Sequence, residues 1–122
     1  MVGERASKEV RWMGSSRKDV QDFPRSVRFE VGQALYAAQC GQSDPAAKVL
    51  KGFGGSSVLE ILTPFDGDTW RTVYTVRFKD SIYVLHAFQK KSKSGIGTPH
   101  RDMELVRKRL AMAELEYKRR QT

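Results

Sequence analysis

The sequence has little of the chemistry that builds disulfides and metal centres. It holds one cysteine, Cys40, and two histidines, His86 and His100, in 122 residues. A single cysteine excludes an intrachain disulfide, which suits a reducing compartment. The three side chains show no ligand-like spacing, so we expect no structural metal site and no cofactor. No apolar run approaches the ~18–20 residues of a membrane span, and the opening stretch lacks the apolar core of a signal peptide. We therefore expect a cytoplasmic protein without membrane contact.

Acidic residues are scarce near the C-terminal end, and the net charge of +8 is unevenly spread. Residues 1–88 carry 12 Lys/Arg against 10 Asp/Glu, whereas residues 89–122 carry 10 against 4. A chain of this length is most simply one domain, 1–122, with one hydrophobic core. The cationic last quarter predicts a polyanion or an acidic protein as partner, and composition alone does not separate the two.

Hydrophobic spacing divides the N-terminal half into a strand, a helix and a connector. The stretch "KEVRWMG" is typical of a short strand. A helix follows, with Asp22 as its cap and Pro24 in its first turn. Its buried stripe repeats at helical spacing: Val27, Val31, Ala34, Leu35 and Ala38. The polar stretch 42–57 predicts a connector, with one short helical turn around Ala46–Leu50.

Three strands and a final helix are predicted in the C-terminal half. Residues from about 57 to 89 form an antiparallel meander in this interpretation. Strict alternation in "TWRTVYTVRF" places Arg71 and Arg77 on one face and Phe78 on the other. Thr98 caps the final helix, whose apolar stripe is Met103, Val106, Leu110, Ala113 and Tyr117. The fold class is therefore α+β, a small, mostly antiparallel sheet in the order β-α-β-β-β-α, packed by helices.

Positive charge gathers where the last strand meets the last helix. Lys90, Lys91 and Lys93 follow the strand, and Arg71 and Arg77 lie on a neighbouring strand. If that face is open, five cations converge on one concave surface that attracts phosphates in a salt-dependent way. The alternative is that the loop lysines are simply solvated.

A cationic surface of this kind could promote cleavage of RNA, in which the 2′-hydroxyl group of the RNA attacks the adjacent phosphate. The reaction needs a proton acceptor, cations that stabilise the phosphorane, and a proton donor for the 5′-oxygen. A lysine crowded by other cations holds its proton less tightly, so it could serve in either role. His86 lies on a strand that we expect to be buried, so we interpret it as a core histidine. His100, at the start of the last helix, is the more credible site residue.

Three sequence patterns carry a family resemblance: the strand "VLEIL", the strand "WRTVY", and "HAFQKKS" followed by a Thr-Pro helix start and "RKRL". Over roughly residues 48–112 the chain resembles the RelE/ParE superfamily of toxins from type II toxin–antitoxin systems. It is most similar to the phage-derived, HigB-like branch. Relatives place a catalytic tyrosine near the start of the last helix, whereas here the first tyrosine of that helix is Tyr117.

The resemblance implies a metal-independent, ribosome-dependent mRNA endoribonuclease, or mRNA interferase, that inhibits translation. It also implies a cognate antitoxin, often a helix-turn-helix protein, as a partner beside the mRNA on the ribosome. The candidate catalytic residues are Arg71, Lys90, Lys91 and His100, and the candidate RNA-binding residues are Arg77, Lys93 and Arg101. Two alternatives stay open: a ParE-like toxin that poisons gyrase, and a catalytically inactive basic binding module.

Overall fold

A computed structural model describes residues 8–90 and 98–121 of the chain. Its elements, in chain order, are β1 (Glu9–Trp12), α1 (Ser16–Gln21), α2 (Arg25–Gln39), β2 (Ala47–Val49), β3 (Val58–Phe65), β4 (Asp68–Thr75), β5 (Ser81–Lys90) and α3 (His100–Gln121). The five strands form one sheet in the order β1-β5-β4-β3-β2. β1 runs parallel to β5, and every other pair is antiparallel. The predicted α+β class, element order and β3–β4–β5 meander are confirmed.

The two long helices pack on opposite faces of the sheet. The predicted stripe of α2 is fully buried and packs against Ile61, Tyr74, Ile82 and Val84. The predicted stripe of α3 contacts the other face, where Val58, Val73 and Leu85 lie. Strand alternation predicted that Phe78 and Arg71 lie on opposite faces, but Phe78 joins this α3 core, on the face of Arg71, because β4 ends at Thr75 and the alternation does not continue to Phe78. Each face of the sheet therefore has its own apolar core.

Local details of three predictions are wrong. The segment Ala46–Leu50 contains the edge strand β2 and not a helical turn, because Ala47 pairs with Ile61 of β3. Asp22 does not cap α2. It follows α1 and accepts a hydrogen bond from Lys18, and Pro24 occupies the residue before α2. The short helix α1 was not predicted at all. Its apolar signal is small, since Val20 is its one buried hydrophobic residue.

A β-bulge in β5 changes which face of the sheet His86 occupies. Val73 of β4 pairs with His86, but the next residue, Tyr74, pairs with Val84, so Leu85 has no partner in the ladder. Residues paired across strands share a face. His86 therefore lies on the α3 face with Val73, although strict alternation from Val84 would place it on the α2 face. An extra residue in one strand re-aims side chains in this way.

Arg109 of α3 stabilises the bulge from the helix side. Its Nη1 donates a hydrogen bond of 3.0 Å to the backbone carbonyl of Leu85, the residue that the ladder leaves unpaired. The guanidinium lies against Gly14, which has a φ of +54°, and a Cβ added there would lie 2.6 Å from the guanidinium carbon. Gly14 is thus required by its backbone conformation and by the closeness of Arg109. The corner after β1 is thereby connected to the bulge that orients His86.

Replacing Gly14 and Gly32 by alanine is expected to change stability in opposite directions. Gly14→Ala meets the positive φ and displaces Arg109, so we expect a loss of about 2 kcal/mol in the free energy of unfolding. Gly32 lies in α2, and a Cβ there would meet nothing within 4 Å. Gly32→Ala should therefore gain about 0.5–1 kcal/mol. Urea denaturation of the two variants measures both values, and a Gly14→Ala protein as stable as the wild type would contradict the need for glycine at this corner.

Candidate functional site

A buried ion pair lies on the α3 face of the sheet, between β3 and β4. Glu60 pairs in the ladder with Val73, and Arg71 pairs with Leu62, so the sheet register places both side chains on this face. The Nη1 of Arg71 lies 3.3 Å from each carboxylate oxygen of Glu60. Arg71 is 7% exposed and Glu60 is 5% exposed. Such a pair is costly to break, because removing one partner leaves a buried charge without compensation.

Thr98 connects this ion pair to the start of α3. Its hydroxyl donates a hydrogen bond of 2.9 Å to Oε2 of Glu60 and accepts one of 3.3 Å from Nη1 of Arg71. The predicted role of Thr98 as a helix cap is therefore replaced by a role in the ion-pair network. Through this hydroxyl, the segment that leads into α3 is held against the middle of the sheet.

The guanidinium of Arg71 uses one nitrogen for all these contacts. Nη1 meets both oxygens of Glu60 and the hydroxyl of Thr98, whereas Nε is buried and has no hydrogen-bond partner within the described ranges. Arginine can present two parallel N–H groups to a carboxylate or a phosphate. Glu60 therefore occupies Nη1, and Nε lies enclosed on the other side of the guanidinium without a partner among the described residues.

His86 and Asp102 form a second polar pair on the same face. Nε2 of His86 lies 2.7 Å from Oδ1 of Asp102, which belongs to the first turn of α3. The ring of Phe88 stacks on the imidazole with a centroid separation of 4.9 Å. His86 is 7% exposed, and its Nδ1 is buried without a partner in the described part of the chain. The sequence interpretation of a core histidine agrees with its burial, but the bulge places His86 beside the ion pair.

A crevice of about 290 Å³ opens beside the ion pair. It runs between the connector after β2 and the start of α3, and Val49, Leu50, Lys51, Glu60, Thr98 and Met103 line it. Three of these side chains are apolar, one is the buried carboxylate, and Lys51 is exposed. Such a volume lies near the lower end of the range for small-molecule pockets. The crevice is therefore small and partly apolar, with the buried carboxylate at its border.

The basic residues predicted for the site are only partly brought together. The register pairs Lys90 with Thr69, which places it on the α3 face beside Phe88 and Arg71. His100 begins α3, but its side chain is 83% exposed and pairs with Glu104 at 3.1 Å. Arg101 is exposed on the same first turn of α3. Lys91 and Lys93 lie outside the described residues.

The expectation of an open face with converging cations is wrong for the two arginines. Arg71 is buried and neutralised by Glu60. Arg77 lies beyond the opposite end of β4, where it pairs with Glu114 of α3 and donates to the hydroxyl of Ser57. Arg71 lies within β4, and Arg77 lies two residues beyond its end at Thr75. Different carboxylates therefore hold the two arginines at different places along the sheet.

The candidate site also contains four residues that sequence reasoning did not assign to it: Glu60, His86, Asp102 and Thr98. One signal was present: Glu60 interrupts an apolar strand at an inward position, where a charge requires a partner. The pairing of His86 with Asp102 had no such signal, because it depends on the bulge and on the position of α3.

Two further properties concern the described ranges as a whole. In residues 8–90 and 98–121, no cluster of three or more His, Cys, Asp or Glu side chains is arranged to hold a metal ion. Among the helices of these same ranges, none combines the length and the apolar character that a bilayer crossing requires.

The fold is that of a small α+β domain and is consistent with a RelE-like fold. Residues 18–111 match the family model described as "Phage derived protein Gp49-like (DUF891)", so the chain belongs to this family. The family lies within the RelE/HigB-like toxin group. A search of the curated proteins finds no match. The matched range contains all the side chains of the ion pair and of the His86–Asp102 pair.

The sequence led us to expect Arg71 on a solvated face, but it is buried. Removing it is therefore expected to destabilise the protein strongly. Arg71→Ala leaves the carboxylate of Glu60 buried without its cation, which typically costs about 3–5 kcal/mol. The double variant Arg71→Met with Glu60→Gln removes both charges and should recover most of that loss. Urea denaturation measures the two free energies of unfolding. Equal stabilities of Arg71→Ala and the wild type would show that the pair contributes nothing.

Proposed function

We propose that this protein is the toxin of a type II toxin–antitoxin system and a metal-independent mRNA endoribonuclease that acts on the ribosome. Membership of the Gp49-like family supports the assignment as a toxin. The cleavage activity is supported by the polar face under the start of α3, where Arg71, His86 and Lys90 lie on two neighbouring strands. The expected partners are mRNA on the ribosome and a cognate antitoxin.

The observation that carries the proposal is the arrangement of Arg71. A buried carboxylate holds one nitrogen of its guanidinium, and Nε is left without a protein partner. A guanidinium held in this way has a fixed orientation, and its enclosed Nε–H would donate to a phosphate once the enclosing side chains move aside. Strand cleavage of RNA needs such a donor, because negative charge grows on the phosphorane oxygens in the transition state.

Lys90 supports the proposal as a second cation on the same face of the sheet. Its register position is two residues beyond Phe88, which is the direct partner of Arg71. A lysine there adds positive potential for the RNA backbone, and this contribution weakens as the salt concentration rises. Lys91, Lys93, His100 and Arg101 remain candidates from the resemblance for RNA contact or proton transfer.

A lysine in place of Arg71 tests the proposal without leaving Glu60 unpaired. Arg71→Lys keeps the positive charge but loses the planar, two-pronged donor. We expect single-turnover cleavage of mRNA on programmed ribosomes to fall about 10²–10³-fold, the effect of removing one transition-state donor. Wild-type cleavage by this variant would exclude Arg71 from the chemistry.

The matched control is Arg28→Lys. Arg28 lies on α2, on the opposite side of the sheet, and donates to the carbonyl of Phe23. The Arg28→Lys variant should cut mRNA at the wild-type rate. The urea midpoints of Arg28→Lys and Arg71→Lys should show that both proteins are folded. Growth arrest by the wild type with intact messages and a loss of DNA supercoiling would instead favour the ParE-like activity.

A further inference from the structure

A cavity of about 320 Å³ lies on the α2 face of the sheet, on the side opposite to the buried ion pair. A volume of this size is at the lower end of the range for pockets that bind small molecules. The more buried part of the lining is apolar and consists of Ala38, Leu59, Val76 and the ring of Tyr74. The outer part carries the exposed polar residues Gln42, Ser43 and Ser56. The cavity is therefore separate from the polar face under α3.

The hydroxyl of Tyr74 gives this cavity a buried hydrogen-bond donor. The residue is 1% exposed and lines the cavity. Burial, followed by the charge of Asp44, raises the pKa of Tyr74 to about 12, and no hydrogen bond from the described residues contributes to this change. The phenol therefore keeps its proton at neutral pH and can donate it. Since buried polar groups are normally paired, the cavity favours a ligand that brings an acceptor.

Lys8 lines the same cavity and brings a full positive charge to it. It is half-buried and lies directly before β1. Its backbone carbonyl accepts a hydrogen bond of 2.6 Å from Nε2 of Gln39, the last residue of α2. This bond holds the backbone of Lys8 against the end of the helix. An ammonium group donates up to three hydrogen bonds, so Lys8 and Tyr74 together supply donors to one ligand.

Two negative features near the cavity oppose an anion, and both are weaker than these donors. The C-terminal end of α2 carries only about half an elementary charge, and its last carbonyls accept N–H groups of the turn that follows. The charge of Asp44 affects Tyr74 less than burial does. Its Oδ1 already accepts the N–H of Ala46, at 2.8 Å. The full charge of Lys8 and the phenol donor therefore favour an acceptor that is itself negatively charged.

We propose that this cavity binds a carboxylate joined to an apolar group of about the size of a leucine side chain. Tyr74 and Lys8 donate to the two carboxylate oxygens, which can accept several hydrogen bonds. The apolar group packs against Ala38, Leu59 and Val76, where its removal from water favours binding. A small free acid carries this combination, and so does the last residue of a polypeptide. The binding does not depend on the proposed endoribonuclease activity, because the polar face lies on the other side of the sheet.

A matched pair of ligands tests the requirement for negative charge. N-acetyl-L-leucine carries a carboxylate where N-acetyl-L-leucinamide carries a neutral amide, and the two are otherwise the same. We expect the acid to bind about tenfold more tightly, the size of one hydrogen bond to a charged group. In ¹H–¹⁵N NMR titrations, the amide signals of Gly41, Gln42 and Val76 should shift saturably, and those of His100 and Glu104 in α3 should not. Equal binding of the two ligands, no saturable shift with the acid, or shifts confined to α3 would overturn the proposal.

Tyr74→Phe tests the phenol donor while keeping the aromatic ring in the core. The variant should bind N-acetyl-L-leucine about three- to tenfold more weakly, the size of one net hydrogen bond. Tyr83→Phe is the matched control. Tyr83 is equally buried, but it lies on the α3 face, where its hydroxyl accepts a hydrogen bond from Arg120. The control should keep the wild-type affinity, and a Tyr74→Phe protein that also keeps it would exclude the hydroxyl as a ligand donor.

Two charge variants determine the sign of the charge that the cavity selects. Lys8→Gln removes the cation and should weaken binding of N-acetyl-L-leucine about three- to tenfold. Asp44→Asn keeps an oxygen for the N–H of Ala46 but removes a like charge, so it should tighten binding about two- to threefold. Lys108→Gln, at an exposed position of α3, is the control and should change nothing. Effects of the opposite sign at Lys8 and Asp44 would show that the cavity selects a cation and would refute the proposal.

A third ligand separates the two sources of the carboxylate. 4-Methylpentanoate has the carboxylate and the branched apolar chain but no peptide group. Tighter binding of N-acetyl-L-leucine would identify the last residue of a polypeptide as the occupant, and equal or tighter binding of 4-methylpentanoate would identify a free acid. These titrations need no ribosomes. Binding of the acid without cleavage of mRNA would refute the endoribonuclease alone, and cleavage without binding of the acid would refute the carboxylate site alone.

Discussion

The buried ion pair between Glu60 and Arg71 determines how the α3 face is organised. Two opposite charges are taken out of water in the middle of the sheet, and neither is tolerable there alone. Thr98 adds its hydroxyl to the pair, so the segment that leads into α3 is drawn to the same point. Once the start of α3 is fixed there, its first turn brings Asp102 to His86. The position of the helix and the polarity of the site thus have a common origin.

A second constraint acts through the bulge in β5. The extra residue turns His86 towards the ion pair, and the backbone carbonyl that the bulge frees is bound by Arg109. Arg109 in turn requires a glycine at position 14. Residues far apart in the sequence therefore combine to present one imidazole on the correct face. The contacts of Arg109 and His86 are polar, and they lie on the face of the sheet that α3 covers.

The sequence was sufficient for those features that arise from periodicity. The apolar stripes of α2 and α3 and the meander follow from spacing, and the structure confirms them. The site was less predictable, because its contacts join residues that are distant along the chain. Arg71 was identified from the sequence. Its pairing with Glu60 was not, because that pairing depends on the strand register, and its burial was not, because that depends on the position of α3. His86 was interpreted as a core residue because its strand is apolar, and its burial agrees with this, but alternation does not predict the bulge that turns it to the α3 face. Thr98 was given a local role as a cap, whereas its hydroxyl bonds to Glu60, 38 residues earlier.

The two edges of the sheet have a consequence for how the protein behaves at high concentration. A long, flat edge strand offers unpaired backbone groups to other chains and promotes polymerisation. Here the edge strands are short: β1 has four residues and β2 has three. The outer residues of β2 include the exposed Lys48, and β1 carries Glu9 and Arg11, which form salt bridges at that edge. The long, apolar strand β5 pairs with β4 along one edge, and β1 covers its other edge from Ser81 to Val84. Addition of a strand to β1 or β2 by a second molecule would therefore gain few hydrogen bonds and would bury charge.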